Sequence, residues 1–364
     1  MPSFIITVFL VAKRVVLMMG QGAASAQARC HCPSAVPSRG QTGELAMRLA
    51  ETVTFGGSGL DRAEDIRRAP EELAKLRKDA RMLLLWRGKP LLNPERDALA
   101  WVSPDHPVAM QGAEEVFLGR DAQGGLFARD VSDWEPLGAD EPEIGAFVDP
   151  SEQSHPDLPK GTAFAELRQV MSGLTPRDAE LAAMAKAILE WHRSHRFCSK
   201  CGGATQARKA GFQRKCDTCG GMHFPRTDPV VIMLITHGNS VLVGRSHGWP
   251  EGMYSLLAGF VDPGECLEAA VRREVWEEAG VRVGRVEYLA SQPWPFPMSL
   301  MFGCWGEALD HEITVDVDEI EDALWVSKED MMASFAGENP ALKPARKGSI
   351  AQFLLQNWLA DTLD

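Results

Sequence analysis

Two C-x-x-C pairs, Cys198/Cys201 and Cys216/Cys219, stand fourteen residues apart. No other feature restricts the fold as tightly. Each pair can turn two thiolates toward one ion, and Gly202/Gly203 and Gly220/Gly221 permit the tight turns. Four thiolates close a tetrahedral Zn²⁺ with no open position, so this site is expected to be structural. A redox pair is disfavoured because there are two of them. The chain has eight cysteines, the others being Cys30, Cys32, Cys266 and Cys304. In a chain this long, such usage reads as a metal site in a reducing, cytoplasmic setting and not as a disulfide scaffold. Arg208, Lys209, Arg214, Lys215 and Arg226 make the stretch locally basic. A clip between domains and a contact surface are both open readings.

The 364 residues leave room for two or three domains. A hydrophobic content of 45% and a charged content of 24% are those of a globular protein. The formal net charge of −12 argues against sequence-independent binding to bare nucleic acid, which needs basic surface. Residues 1–46 are atypical. The run "FIITVFLVA" is too short to span a bilayer and is followed by Lys13 and Arg14. "ASAQA" is like a signal-peptidase site, but no Lys or Arg precedes the apolar run. Met47 opens a stretch that reads as a natural start, so residues 1–46 are expected to be an extension outside the fold. No membrane association is expected.

Residues 47–165 read as a β-rich domain. Its signals are two hairpins, "ARMLLLWRGKPLL" and "EVFLGRDAQGGLFARDV". Residues 140–161 read as loop. Thr175 as N-cap and Pro176 at the first position start a helix to about Arg193, placed here in a helical linker, 166–195. His192 and His195 are expected to be polar helix-end residues. A metal ribbon over 196–225 and a domain over 226–364 follow. In the latter, "PVVIMLITHGNSVLVGRS" is a hairpin, and a helix runs from about Cys266 to Ala279. Strands are expected near Arg285–Ser291 and Leu300–Ala308 and at "DALWVS", with a C-terminal helix at "SIAQFLLQNWLA". "MMASFAGENPALKPARKG" reads as an insertion. Apart from the cysteine knuckles, no internal repeat is visible.

Glu274, Glu277 and Glu278 sit at i, i+3 and i+4 of the predicted helix, so their carboxylates share a face. Three like charges so placed call for a cation. Oxygen-only ligands select a hard one, Mg²⁺ or Mn²⁺. Val271 and Val275 lie off that face and should dock on a sheet. Arg273 is placed to pair with Glu265, and Gly259 and Gly264 let the loop turn against the helix.

The full pattern, Gly259, Glu265, Arg273-Glu274-Val275, Glu277-Glu278 and Gly280-Val281, resembles the Nudix box, G-x5-E-x7-R-E-U-x-E-E-x-G-U, at every specified position. The resemblance implies an α/β fold, a Nudix α/β/α sandwich behind a zinc ribbon and a β-rich N-terminal domain. It also implies hydrolysis of a nucleoside diphosphate linked to another group. In that reading Glu274, Glu277 and Glu278 hold the metal, and Glu274 orients or deprotonates the water. A downstream carboxylate completes the site, with Glu307, Asp318 and Glu319 as candidates.

"SQPWPFPMS" begins ten residues after Gly280. Its prolines enforce extended, stiff backbone that cannot be helix. It resembles the S-Q-P-W-P-F-P-x-S array of the NADH pyrophosphatase branch of the Nudix family, with Met298 at the free position. That branch also carries a four-cysteine ribbon before its Nudix domain, so the resemblance covers 47–364. It implies NADH or NAD⁺ as substrate, with NAD-capped RNA as a further one, and a homodimer. It implies stacking by Phe260 and Phe224, with Gln292 as a polar group near the reacting ribose or phosphate. Trp294 becomes a wall, Ala258 and Ala351 ligand contacts, and Glu319 the downstream metal carboxylate. Two other readings stand beside it: a broader ADP-ribose or dinucleotide pyrophosphatase, and a non-catalytic zinc-ribbon RNA-binding module.

Overall fold

Met82, Leu84 and Trp86 alternate with Leu83 and Leu85 along one strand, and all five are buried. A strand without a wet face must lie between two packed layers. The computed structural model describes residues 49–136 and 151–363. The extension expected over 1–46 and the first part of the loop expected over 140–161 lie outside the described residues.

In the N-terminal domain, α1 (Pro70–Lys78) precedes β1 (Arg81–Trp86), β2 (Lys89–Leu92) and β3 (Trp101–Val102). A single helical turn, α2 (Pro107–Met110), leads to β4 (Glu115–Asp121), β5 (Gly124–Asp130) and β6 (Ala163–Phe164). Both hairpins read from the sequence are present. Arg87 and Gly88 make the first turn with positive φ. The strand order is β4-β5-β1-β2-β6, with β3 on β1. The helix α3 (Pro176–Ser194) starts at Thr175, whose side chain accepts from the Asp178 N–H. Its apolar face is part of the core of the first domain, and it also meets the ribbon through His192 and the proline-rich array through Lys186, whose ammonium lies over the Phe296 ring. Leu181, Ala182, Ala185 and Ile188 pack on Leu83, Leu85, Val116 and Leu118 in one core.

The ribbon strands β7 (Thr205–Arg208), β8 (Gln213–Cys216) and β9 (Met222–His223) form a small antiparallel sheet. The last domain contains β10 (Asp228–His237), β11 (Ser240–Arg245), β12 (Leu257–Phe260) and α4 (Leu267–Ala279). It continues with β13 (Val283–Trp294), β14 (Ser299–Ala308), β15 (Asp322–Ser327), α5 (Lys328–Ala336) and α6 (Ile350–Leu359). Val231, Met233 and Ile235 face α4 through Val271 and Val275. Ile232 and Leu234 face α6 through Leu354 and Leu355. The result is an α/β/α sandwich. Helix α5, capped by Ser327, occupies part of the stretch read as an insertion.

The second sheet runs β13-β14-β10-β11-β15, with β12 on β10. This is the order of the first sheet, strand for strand. The pairings agree as well: β1 is parallel to β5 and antiparallel to β2 and β3, and β10 is parallel to β14 and antiparallel to β11 and β12. The chain therefore contains a repeat of topology, contrary to the sequence reading. Between the third and fourth strands the second unit carries the thirteen-residue α4, and the first only the turn Pro-Val-Ala-Met. The first unit has no carboxylate helix at the equivalent place.

Candidate active site

The site is built where β12, α4 and the β13–β14 hairpin meet. Cys266 is the N-cap residue of α4, and Gly280 ends the helix in the left-handed region at φ 66°. A Cβ on Gly280 would also lie 2.9 Å from the Thr314 side chain. The segment after β14 returns along the end of α4. Thr314 N–H donates to the Ala279 carbonyl at 2.8 Å, and Asp316 N–H to the Glu278 carbonyl at 3.1 Å. This return brings Glu319 to the carboxylate helix, where its charge is felt at both Glu274 and Glu278. Glu307 lies elsewhere. Gly259 is opposite Val231, and Val231 is opposite Phe302 on β14. Glu307 is five residues farther along that strand, roughly 16 Å at the rise of a β-strand.

Arg273 organises the loop. Its Nε and Nη2 donate to Glu265 Oε1 and Oε2 at 3.0 and 2.8 Å, as the spacing suggested. Nη2 also donates to the Phe260 carbonyl, and Nη1 donates to Glu274 and Glu277, each at 2.9 Å. The fork thus ties the loop to the helix and crosses the carboxylate face. Its hydrogen bonds hold the Glu265 carboxyl below the usual range.

Gly259 has a specific reason to lack a side chain. A Cβ there would sit 1.9 Å from the Glu274 Cδ. Gly259→Ala should therefore expel the Glu274 carboxylate and lower kcat about 100-fold or more, because a misplaced catalytic group costs on that order. A steady-state assay checks it, with circular dichroism to confirm an unchanged fold. Wild-type kcat in a folded Gly259→Ala protein would contradict the placement of Glu274.

Glu274 and Glu278 are buried, and Glu278 Oε2 has no hydrogen-bond partner. Burial raises the Glu274 carboxyl. Burial, together with the charges of Glu274, Glu319 and Glu277, pushes Glu278 up to about 8. A buried, unpartnered carboxylate oxygen facing other carboxylates is a poor arrangement without a cation and a suitable one with it. The residues therefore fit a hard divalent ion.

Glu278 lines a cavity of about 310 Å³ together with Ala258, Gln292, Trp294 and Ala351. Five sequence-selected residues thus meet in one space. Phe260 and Phe224 are exposed and are absent from its lining. Gln292 does not offer a free amide. It is fully buried, its Nε2 donates to the carbonyls of Thr54 and Gly348 at 2.9 Å, and its Oε1 accepts from the Ile350 N–H at 2.8 Å. It clasps the N-terminal segment to the start of α6, which is a different task from the polar contact expected. The stiff array ends β13 and forms the hairpin turn. Trp294 packs edge-on to Phe296 at 4.9 Å, and Phe55 lies 6.4 Å from both rings. Arg168, Trp249, Tyr254 and Arg346 also line the cavity and were not selected from the sequence. Arg168 comes from the first domain, a contribution that no local motif announces.

The cysteine site is compact. Cys198 Sγ is 3.6 Å from Cys219 Sγ, and Cys201 Sγ is 3.5 Å from Cys216 Sγ. Among the described residues, these four form the only group of three or more His, Cys, Asp or Glu whose ligand atoms all lie within 4.8 Å of one another. The two knuckles repeat one geometry. Cys198 N–H donates to the Gly203 carbonyl and Cys216 N–H to the Gly221 carbonyl, both at 2.8 Å. Gly202 and Gly220 are left-handed, at φ 73° and 70°. His192, read as a helix-end polar residue, and Arg214, read as part of a basic stretch, are both buried behind the ribbon. Arg214 donates to Thr205, to Glu114 at 3.1 Å and to His192 Nδ1 at 2.7 Å, and His192 Nε2 donates to the Gly211 carbonyl. Burial holds the His192 ring below its usual range, so it serves as a neutral bridge. Arg214 is therefore removed from the basic surface, and Arg226 is paired with Asp228.

Comparison with known proteins agrees with this geometry. Three family models match in series: an NADH pyrophosphatase-like rudimentary NUDIX domain over residues 79–191, an NADH pyrophosphatase zinc ribbon domain over 193–224, and a NUDIX domain over 225–351. The NAD-capped RNA hydrolase NudC of Stutzerimonas stutzeri is 42% identical over 57% of this chain and 71% of its own. The chain is an NADH pyrophosphatase-like member of the Nudix family. The rudimentary Nudix match accounts for the repeated sheet. The NAD-capped RNA hydrolase NUDT12 of Homo sapiens is 39% identical over 66% of this chain and 52% of its own. The NAD(P)H pyrophosphatase NUDT13, mitochondrial, of Homo sapiens is 41% identical over 49% and 51%. The chain spans about half the length of these two human relatives. Among the described residues, no helix is long and apolar enough to cross a membrane.

Proposed function

We propose that this Nudix protein hydrolyses the diphosphate of NADH or NAD⁺, giving NMNH or NMN and AMP, and makes the same cut at the NAD cap of an RNA 5′ end. The observation that carries the reading is the shared cavity. The proline-stiffened hairpin sets Trp294 into the same space as Glu278, so a flat ring and a metal-seeking carboxylate address one ligand. The names of the relatives support the substrate class.

Glu274, Glu277, Glu278 and Glu319 would hold Mg²⁺ or Mn²⁺. When bound, such an ion neutralises charge on the diphosphate and favours attack by water at phosphorus. The protein's own part is positional. Glu274, seated over Gly259, would accept the proton of the attacking water. The Arg273–Glu265 clamp fixes the loop, and Phe260, next to Gly259, supplies an exposed aromatic face. The carry-over of Phe260, Phe224, Ala258 and Ala351 as substrate contacts rests on the resemblance. So does the homodimer. Zn²⁺ in the cysteine site and a cytoplasmic setting belong to the same reading. The exposed thiol of Cys266, which is outside the metal site, suits a compartment that keeps cysteines reduced.

Substrate competition tests the reading. The Trp294 wall should give NADH a higher kcat/KM than ADP-ribose, by about 10-fold or more, the scale of one base–aromatic stack. Trp294→Ala should bring the two together. Equal efficiency on both substrates in the wild type would favour the broader pyrophosphatase instead.

A further inference from the structure

The ribbon carries a surface that hydrolysis of a small dinucleotide does not use. Residues 193–224 contain seven Lys or Arg and one acid, Asp217, in a chain of net charge −12. The four thiolates with a divalent ion reduce this excess and leave it positive. Strand register shows how the side chains are arranged. Phe197 bridges Ala204, Gln206 pairs with Lys215, and Lys215 pairs with Met222. Cross-strand partners share a face, and so do residues two apart on one strand. Phe197, Gln206, Arg208, Lys215 and Met222 therefore project from one face, and Phe224 follows two residues after Met222. The opposite face holds Thr205, Arg214 and His223 against the protein.

Exposure follows the same division except at Gln213, which pairs with Arg208 and is buried. Phe197, Met222 and Phe224 are 69%, 45% and 65% exposed, whereas Thr205 and Arg214 are buried. Three large apolar side chains interleaved with Arg208 and Lys215 on one small sheet are poorly suited to open water. They match a polyanion with flat bases, where phosphates meet the cations and bases stack on the rings. The chain also leads to the site. Phe224 lies six residues before Val230, which pairs with Phe260, so the chain runs from the strip into the strand beside the candidate site.

We infer that the outward face of the ribbon, Phe197 to Phe224 with Arg208 and Lys215, is the platform for the single-stranded RNA body behind the cap. This rests on the NAD-cap reading above and extends it to a second surface. Binding there is local, which reconciles an acidic chain with a nucleic-acid substrate.

The test uses the full chain, loaded with zinc, as wild type, Phe197→Ala and Arg208→Glu/Lys215→Glu. These positions are exposed and lie outside the machinery assigned to hydrolysis. Three readings are taken: NADH turnover, turnover of an NAD-capped single-stranded 20-mer, and fluorescence anisotropy of the same 20-mer with a 5′-monophosphate. The charge variant should keep NADH kcat/KM and lose about 10-fold or more on capped RNA. Its salt dependence for the 20-mer should flatten by about 1.4 log units per decade, for two lost phosphate contacts. Phe197→Ala should weaken 20-mer binding about 5-fold or more with NADH turnover unchanged, as loss of a stacking ring does. Unchanged RNA binding in both variants would overturn the proposal. Equal losses on NADH and RNA would do the same, as would a change of sedimentation coefficient, which would assign the face to a second copy of the chain. If wild type fails on NADH as well, the proposed function fails first. Anisotropy still decides the platform in that case, since it needs no turnover.

Discussion

Exchange of Glu278 for glutamine is expected to lower NADH hydrolysis by about 1,000-fold, while making the metal-free protein more stable at pH 8. The loss follows from the site's design. Glu278 is buried, its Oε2 has no protein partner, and it faces the ligand cavity, so its main available function is to hold a cation. Removing a preorganised charge from a transition-state site costs on the order of 100- to 1,000-fold. The gain follows from linkage. The Glu278 carboxyl is raised from 4.5 to about 8 in the fold, by burial first and by its acidic neighbours second. Between those values the folded state binds more protons than the unfolded state, so stability falls as pH rises from about 4.5 to about 8. Glutamine carries no such charge. The metal-free variant should lose less stability over that window, by a few kcal/mol at most given the partial solvent access of the site. Denaturant melts of the chelated wild type and variant at pH 5 and pH 8 measure this. Saturating Mn²⁺ should erase the pH slope of the wild type and leave that of the variant unchanged. Parallel slopes in the two metal-free proteins would show that Glu278 ionises freely.

Cys216→Ser is expected to remove the ribbon's metal and melt the ribbon. Cys216 is fully buried and central, with Sγ 3.5 Å from Cys201 and accepting from the Cys219 N–H at 3.5 Å. Small metal domains draw roughly 10 kcal/mol or more from their ion. Here the ribbon is also stapled to α3 by Arg214 and His192, so the loss of stability should be smaller, about several kcal/mol. The effect should reach the active site. The ribbon feeds directly into β10, whose first residue, Asp228, donates its N–H to the Met298 carbonyl in the hairpin turn at 2.9 Å. Zinc content should fall from about one ion per chain to none. Melting should begin at lower temperature, and KM for NADH should rise more than kcat falls. A variant that keeps its melting temperature without metal would mean that the staple alone maintains the ribbon.

The parts that could be read from the sequence are those with short-range physics. The carboxylate helix was legible because its spacing forces three Glu onto one face, and Val271 and Val275 dock where the period puts them. The knuckles were legible because thiolates three residues apart on a glycine turn have few alternatives. Long-range arrangement was not legible. The two sheets share an order but no evident sequence pattern, since strand order is set by pairings as distant as Ser240 with Ser327. Gln292 was expected as a ligand contact from the resemblance, and its sequence context does not separate an exposed polar group from a buried clasp. Only the carbonyls of Thr54 and Gly348 distinguish them. His192 and Arg214 lie on different elements, and each is explained by the other. Helix α5 was missed because its apolar residues lack a clean period, although Ser327 was a usable N-cap.

On the proposed reading, the cavity joining Trp294 to Glu278 cleaves a nicotinamide dinucleotide at its diphosphate. Product analysis of NADH incubated with zinc-loaded protein and Mn²⁺ tests it most directly, with Glu278→Gln alongside. The wild type should give AMP and NMNH in equal amounts, and the variant neither above background. Intact NADH after incubation with a folded, zinc-loaded wild type, or equal turnover by the variant, would contradict it.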